Sequence, residues 1–254
     1  MVTLQIASDL HLEHRGAIAD YRSIVEPRAR VLALVGDIGS PFDPKLADFI
    51  SYASANWSQV LYVPGNHEYY SSNHRMTMSE IERLLLAICS RHSNVRLLLN
   101  ETFELDNVMF IGSTLWSFVP PEKWEFVQAR LNDYNLIYTE AGLLTPQLSN
   151  ELFQTAVQFI QSSVNDARRR GKKAVVLTHH VPSTHETSPP QYVFSHHGFA
   201  TSLPANHDPG AIRLWCAGHT HHNFHHKKEG YELISNQLGY GSNASYNKAL
   251  VIEL

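Results

Sequence analysis

Cysteine is scarce in this chain: among 254 residues there are two, Cys89 and Cys216. Two thiols cannot make the dense disulfide framework of a small secreted domain, so reduced, buried cysteines in a reducing compartment are expected. Long apolar runs are missing as well. No stretch approaches the roughly 18 residues that cross a bilayer as a helix. The start, Val2-Thr3-Leu4-Gln5-Ile6, has neither the basic region nor the apolar core of a secretory leader. A cytoplasmic location and no membrane partner follow as expectations, and the sequons at Asn56, Asn100 and Asn243 are incidental on that reading. Strong charge of one sign is absent. The net charge of −4 gives no reason to expect a general nucleic-acid binder, though a nucleotide stays open as a substrate. Also lacking are basic stripes interleaved with aromatics, a phosphate-cradling G-x-x-x-x-G-K-[ST] loop and a G-x-S-x-G nucleophile elbow. Gly239-Tyr240-Gly241-Ser242-Asn243-Ala244 fits G-x-G-x-x-A, but no helical pattern follows it and it reads as a tight turn.

The rest is the composition of a chain with a core. Apolar residues make up 43% and charged residues 17%, which suits one domain over residues 1–254. Residues 2–7, 31–35 and 60–63 read as buried strands, with helices over 44–56 and 76–89. That order implies parallel strands joined by crossover helices. Residues 95–99, 103–105 and 108–112 read as short strands turning back. Residues 146–170 form the longest helix candidate, stopped by Gly171, and 174–178 is another buried strand. Residues 182–209, rich in Pro, Ser and His, read as a long loop or lid. Residues 211–216, 224–228, 231–235 and 249–252 read as strands again.

Histidine, in contrast to cysteine, is abundant. There are 16, several in pairs such as His179-His180, His196-His197 and His221-His222, all too far inside the chain for a tag. Imidazole is the commonest metal ligand, so a metal site is worth seeking. In open α/β sheets ligands gather beyond the carboxyl ends of the strands. There the sequence places Ser8-Asp9-Leu10-His11, Gly36-Asp37, Gly65-Asn66-His67-Glu68, His179-His180 and Gly218-His219-Thr220-His221. Singly, each has a plain reading: a solvated turn for D-x-H, ordinary turn chemistry for G-D, a surface imidazole for any one histidine. His67-Glu68-Tyr69-Tyr70-Ser71 opens like the zinc-protease H-E-x-x-H, but Ser71 stands where the second histidine should be. Five such groups in a row, each at a strand exit, are not explained by turns.

The donors are carboxylate oxygen, amide oxygen and imidazole nitrogen, without thiolate. That set suits Mn, Fe, Co, Ni or Zn and not an iron–sulfur or structural zinc site. There are too many donors for one ion. Two ions about 3.5–4 Å apart, sharing a carboxylate and holding a hydroxide, make a clamp for in-line displacement at phosphorus. At this point the series D-x-H, G-D, G-N-H-E, H and G-H-x-H resembles the signature of the calcineurin-like metallophosphoesterases, over Asp9 to His221. The resemblance implies an α/β fold, a four-layer αββα sandwich of two facing mixed sheets flanked by helices. It implies a first ion on Asp9, His11, Asp37 and His221, a second on Asn66, His179 and His219, and Asp37 bridging. His67 would be the non-ligand histidine that steadies the transition state or protonates the leaving oxygen. It also implies a manganese-type pair of transition-metal ions and a small phosphate mono- or diester as substrate, a nucleotide among the options.

Some details narrow the branch. Ser40 stands where purple acid phosphatases carry an iron-binding tyrosine, and where protein Ser/Thr phosphatases have Asp-Arg. Thr114-Leu115-Trp116, Asn132-Asp133-Tyr134 and Asn236-Gln237-Leu238-Gly239-Tyr240 resemble a small branch whose usual Asn-Pro-x-Gly-Tyr is altered here at Gln237. Pro182 lies two residues after His180, where relatives show ligand-x-Pro, so His180 competes with His179 as the ligand and is otherwise a substrate-side candidate. His185, His196, His197 and His207 lie in the lid segment, with His196 and His197 the candidates for substrate contact. Competing readings are a nuclease or cyclic-nucleotide phosphodiesterase on the same core, and a non-catalytic binding module, which would be expected to lack donors or His67.

Overall fold

Residues Val31–Val35 are buried at all five positions, a pattern that needs cover on both faces of a strand. The computed structural model, which describes residues 1–71, 73–188, 196–203, 211–227, 230–241 and 243–254, supplies that cover. Strands β1 (Thr3–Ala7), β2 (Val31–Val35), β3 (Gln59–Val63) and β4 (Val95–Leu97) run parallel side by side. Helices α1 (Pro44–Asn56) and α2 (Met78–Cys89) make the crossovers. Each helix starts where its sequence says it should. Asp43 accepts from Lys45 N at the head of α1, with Pro44 at the first helical position, and Thr77 and Glu80 form a reciprocal capping box on α2.

The second sheet begins with a hairpin of β5 (Glu101–Leu105) and β6 (Val108–Ser113). Two short helices, α3 (Trp124–Gln128) and α4 (Asp133–Leu136), and a small ribbon, β7 (Tyr138–Thr139) with β8 (Gly142–Leu143), lead to the long helix α5 (Pro146–Arg169). Then β9 (Lys173–Thr178) pairs parallel with β6, and β10 (Ile212–Cys216) parallel with β9. β11 (His225–Lys227) and β12 (Glu232–Ile234) complete this sheet, and β13 (Val251–Glu253) returns to pair antiparallel with β1. The strand orders are β13-β1-β2-β3-β4 and β11-β12-β10-β9-β6-β5.

The period-2 alternation of the strands sorts the core into layers. Leu4, Ile6, Val31, Ala33, Leu61 and Val63 form one cluster with Val108, Phe110, Val175, Leu177, Leu214 and Cys216, which fills the space between the sheets. The alternate residues, such as Leu32, Leu34, Tyr62, Ile111 and Val176, belong to a second cluster with the apolar sides of α1, α2 and α5. This is the four-layer arrangement expected from the resemblance. The expectation that residues 95–99 turn back is corrected: β4 extends the first sheet in parallel, Val95 opposite Val60. Strand direction is set by the partner across the sheet, which local periodicity does not record.

The carboxyl ends of both parallel sets lie together. Ser8 bridges to Gln237 just past β12, with Ser8 N donating to Asn236 O at 3.0 Å and Gly239 N donating to Asp9 O at 2.9 Å. Of the lid expected over 182–209, the described end returns along Val181 and Pro182, whose carbonyls accept from Thr201 and Leu203. Within that segment residues 189–195 and 204–209, His207 included, lie outside the described residues. Among those residues no helix is long and apolar enough to cross a membrane.

Phe110, fully buried between the sheets, tests this core. Phe110→Ala is expected to cost about 3–5 kcal/mol of stability, read as a lower denaturation midpoint in urea at unchanged slope.

Candidate metal centre

Five candidate donor residues sit on left-handed backbone. Asp9, His11, Asp37, His219 and His221 have φ of 53°, 45°, 53°, 71° and 52°. Non-glycine residues seldom adopt this region, and such strain gathers where surrounding structure over-determines it. Here the over-determination is visible. Asp9 N donates to Gly36 O and His11 N to Asp37 O, both at 3.0 Å, and Gly218 N donates to His179 O at 2.9 Å. Gly36 has φ +89°, and a Cβ on it would lie 2.2 Å from His179 Nδ1; one on Gly65 would lie 2.1 Å from Asp37 Oδ1. The glycines of the G-D and G-N-H-E motifs are therefore demanded by donor side chains that pack onto their backbone.

The donors form two groups. In the first, His11 Nε2 is 3.0 Å from His221 Nε2, which is 3.2 Å from Asp9 Oδ1, and Asp37 Oδ2 stands 3.8 Å from His11 Nε2. In the second, His179 Nε2 is 3.0 Å from Asn66 Oδ1, 3.1 Å from His219 Nδ1 and 3.3 Å from Asp37 Oδ1. Donors held about 2.0–2.2 Å from one ion lie roughly 3–3.5 Å from each other. Most of the separations fall in that range, so both groups fit a transition-metal ion. Asp37 faces one oxygen to each.

Hydrogen bonds outside the groups fix which ring nitrogen carries a lone pair inward. His179 Nδ1 lies 2.9 Å from Val35 O, His219 Nε2 3.3 Å from Gly198 O, and His11 Nδ1 3.3 Å from Glu13 Oε1. Each outer nitrogen thus donates, leaving the inner one free to accept a cation. The amide of Asn66 is set likewise, its Nδ2 donating to Asp133 Oδ1 at 2.8 Å and to Tyr70 Oη at 3.1 Å.

Glu68, quoted in the motif without a role, ties two loops together. It is fully buried, and its carboxylate accepts from the backbone N–H of Asp37, Ile38, Gly39 and Gly65 and from Tyr62 Oη. Gln237, the departure noted in the sequence, accepts from His221 N at 2.7 Å and so holds the last histidine loop. Asp133, Tyr70 and Glu13 were not identified as site residues from the sequence. The branch resemblance at 132–134 had marked Asp133 without giving it a task.

Buried negative charge dominates the electrostatics. Burial opposes ionisation of Asp37, yet His179, His67 and His11 hold its carboxyl well below the usual range. Burial disfavours charge on His179 too, but Asp37 and Asp9 push its pKa up to about 10. Without an ion, the site draws a proton onto His179, which marks it as a place that demands positive charge.

His67 lies beside both groups. Its Nε2 is 3.1 Å from Tyr240 Oη and 4.0 Å from Asp37 Oδ2, and its Nδ1 is 3.8 Å from Glu13 Oε1. Against burial, Asp37 and Glu13 raise its pKa to about 9. Asp37, Asn66, His67, His219 and His221 floor a cavity of 440 Å³, whose other walls include Tyr70, Arg130, Leu131, Phe199 and Tyr240. His179, and not His180, enters the donor groups. His180 is buried against the His219 ring at 4.1 Å and near Trp116 at 5.4 Å, and is not among the cavity's lining residues. His196 and His197 lie in a one-turn 3-10 segment; His197 is half-buried and does not line the cavity either. His185 is exposed.

A four-layer sandwich with this donor set at one edge defines a metal-dependent hydrolase. The chain belongs to the calcineurin-like phosphoesterase family, whose sequence profile matches residues 3–223, and it is a phosphate-ester hydrolase. It is 33% identical to an uncharacterized protein of Acanthamoeba polyphaga mimivirus, over 94% of this chain and 92% of that one. Among solved structures it is similar to the phosphopantetheinyl hydrolase of Mycobacterium tuberculosis, with TM-score 0.65 and 19% identity over 94% of this chain and 89% of the other. It is also similar to a dimetal phosphatase from Danio rerio, with TM-score 0.53 and 13% identity over 95% and 88%.

Glu68→Gln tests the clamp. An amide cannot accept at both ends, so one backbone donor set loses its acceptor. The expected loss is about 2–4 kcal/mol, seen as a lower Tm in protein stripped of metal with chelator.

Proposed function

We propose that this protein hydrolyses a small phosphate mono- or diester with two manganese-type metal ions. Asp9, His11, Asp37 and His221 would hold one ion, and Asn66, His179, His219 and Asp37 the other. The observation that carries this reading is the carboxylate of Asp37, which turns one oxygen to each donor group beneath a single cavity. When bound, the two ions supply a nucleophile at neutral pH and neutralise charge on the phosphoryl oxygens. The protein's own part is positioning. Left-handed backbone and buried hydrogen bonds aim the donors before any ion arrives, so little reorganisation is needed. His67, bracketed by Asp37 and Glu13, carries a proton at the cavity floor and delivers it to the leaving oxygen.

The cavity also bears on the substrate. Its volume of 440 Å³ suits a small ester and not a protein chain, and Leu131 and Phe199 offer apolar cover to a leaving group. Arg130, over the ring of Phe126 at 3.9 Å, places a cation on the same wall, which favours an anionic substrate. Of the similar solved structures, one is by its name a phosphopantetheinyl hydrolase and the other a dimetal phosphatase, which is consistent with this reading. The presence of His67 and of every expected donor weighs against a non-catalytic binding module. Cys89 and Cys216 are free and buried, which suits the cytoplasm.

Two substitutions separate the roles. Asp37→Asn removes charge shared by both groups and is expected to lower metal content, read by elemental analysis, and to abolish hydrolysis of p-nitrophenyl phosphate; full turnover would reject the shared role. His67→Ala is expected to keep both ions and lose roughly 10²–10⁴ in kcat on an ester with a poor leaving group. Unchanged kcat there would contradict the proton-donor assignment.

A further inference from the structure

Asn66 is the one neutral side-chain oxygen among the donors, and an amide has two nearly isosteric ends. Only the oxygen accepts a cation; the NH₂ end repels it. What decides between the two is Asp133, a buried carboxylate contributed by the first turn of α4. Its Oδ1 accepts from Asn66 Nδ2 at 2.8 Å and from Tyr70 Oη at 2.6 Å, while Tyr70 Oη in turn accepts from Asn66 Nδ2 at 3.1 Å. Both amide hydrogens are thereby used on the side away from His179, and Oδ1 is left 3.0 Å from His179 Nε2. A flipped amide would set its NH₂ against His179 and its oxygen against a carboxylate.

Charge points the same way. The first donor group holds Asp9 and one oxygen of Asp37; the second holds an amide, two imidazoles and the other oxygen of Asp37, so it has one carboxylate fewer. Asp133 adds a negative charge one hydrogen bond behind the second group and polarises the amide oxygen toward it. The same carboxylate fixes Tyr70, whose ring lies 4.3 Å from that of His67.

We propose that Asp133 is a positioning residue that locks the Asn66 amide with its oxygen inward and so sets the affinity of the second metal position. The inference rests on the two-metal reading above. Its test is calorimetric titration of metal-free protein with Mn²⁺ alone. Wild-type protein should bind two equivalents, and His219→Ala should identify which belongs to the second group by abolishing it. In Asp133→Leu that equivalent is expected to weaken by roughly 10–100-fold, while the other constant stays within about threefold. Asp133→Asn keeps an oxygen for both donors but loses the charge, and should fall between the two. A general structural role would instead lower Tm and shift both constants together. That outcome, or two unchanged constants, overturns the proposal. If Asp133→Leu does not fold, Asp133→Asn decides alone: the second equivalent must weaken at least about threefold with the first unmoved. Wild-type protein that binds no Mn²⁺ removes the two-metal reading itself; two wild-type equivalents untouched in Asp133→Asn remove only the role of Asp133.

Discussion

Asp37 is buried, ionised and surrounded by atoms that offer electron pairs: the carboxylate of Asp9, the amide oxygen of Asn66 and the inner nitrogens of His11, His179, His219 and His221. Such a collection is repulsive unless positive charge is placed within it. The rise of the His179 pKa to about 10 is the protein's answer when only protons are available. Much of what surrounds the site serves to keep these atoms from relaxing apart. Glu68 pins two loops by their backbone, glycines let donor rings lie directly on the chain, and five residues are held at left-handed φ. Strain of order 1–3 kcal/mol per residue persists only where the rest of the fold is strong enough to enforce it.

The fold meets that demand by geometry. Parallel strands put all their carboxyl ends on one edge, and two such sheets face to face bring donors from both to one point. Antiparallel strands would send alternate ends away. The bridge from Ser8 to Gln237 joins the two edges, so Asp9 from the first sheet meets His219 and His221 from the second. The apolar layer between the sheets then acts as a rigid base, because a close-packed core transmits displacement instead of absorbing it.

The places of the candidate donors were legible in the sequence because each occupies a strand exit, and a buried strand announces its end by an apolar run meeting a glycine or a polar residue. Gly36-Asp37 and Gly218-His219 are of this kind. The parallel run of β1, β2 and β3 was legible for a related reason, since apolar strands alternate there with helical patterns; the four layers came only with the family resemblance. The partners of the donors were not legible. Glu68 stands in plain view beside His67, but its acceptors' partners at Asp37, Ile38 and Gly39 lie about thirty residues away. Asp133 meets Asn66 across 67 residues of chain, and Tyr240 meets His67 across 173. No local pattern encodes such pairs. The direction of β4 escaped for the same reason, since nothing within Val95–Leu97 records which neighbour it joins.

On the proposed function one residue type would perform two tasks, and the difference lies in the partners. In His11, His179 and His219 the outer nitrogen has an acceptor and the inner one faces the other candidate donors, so the ring is oriented with that nitrogen inward. His67 is arranged the other way. Nδ1 faces Glu13, and Nε2 faces Asp37 and Tyr240 Oη, so both nitrogens look toward acceptors. That environment favours the imidazolium and disfavours coordination. Partner choice thus turns chemically identical side chains to different ends within one cavity: rings with one nitrogen aimed at a shared point, and one ring with both nitrogens on acceptors, the arrangement that suits a histidine with a proton to give.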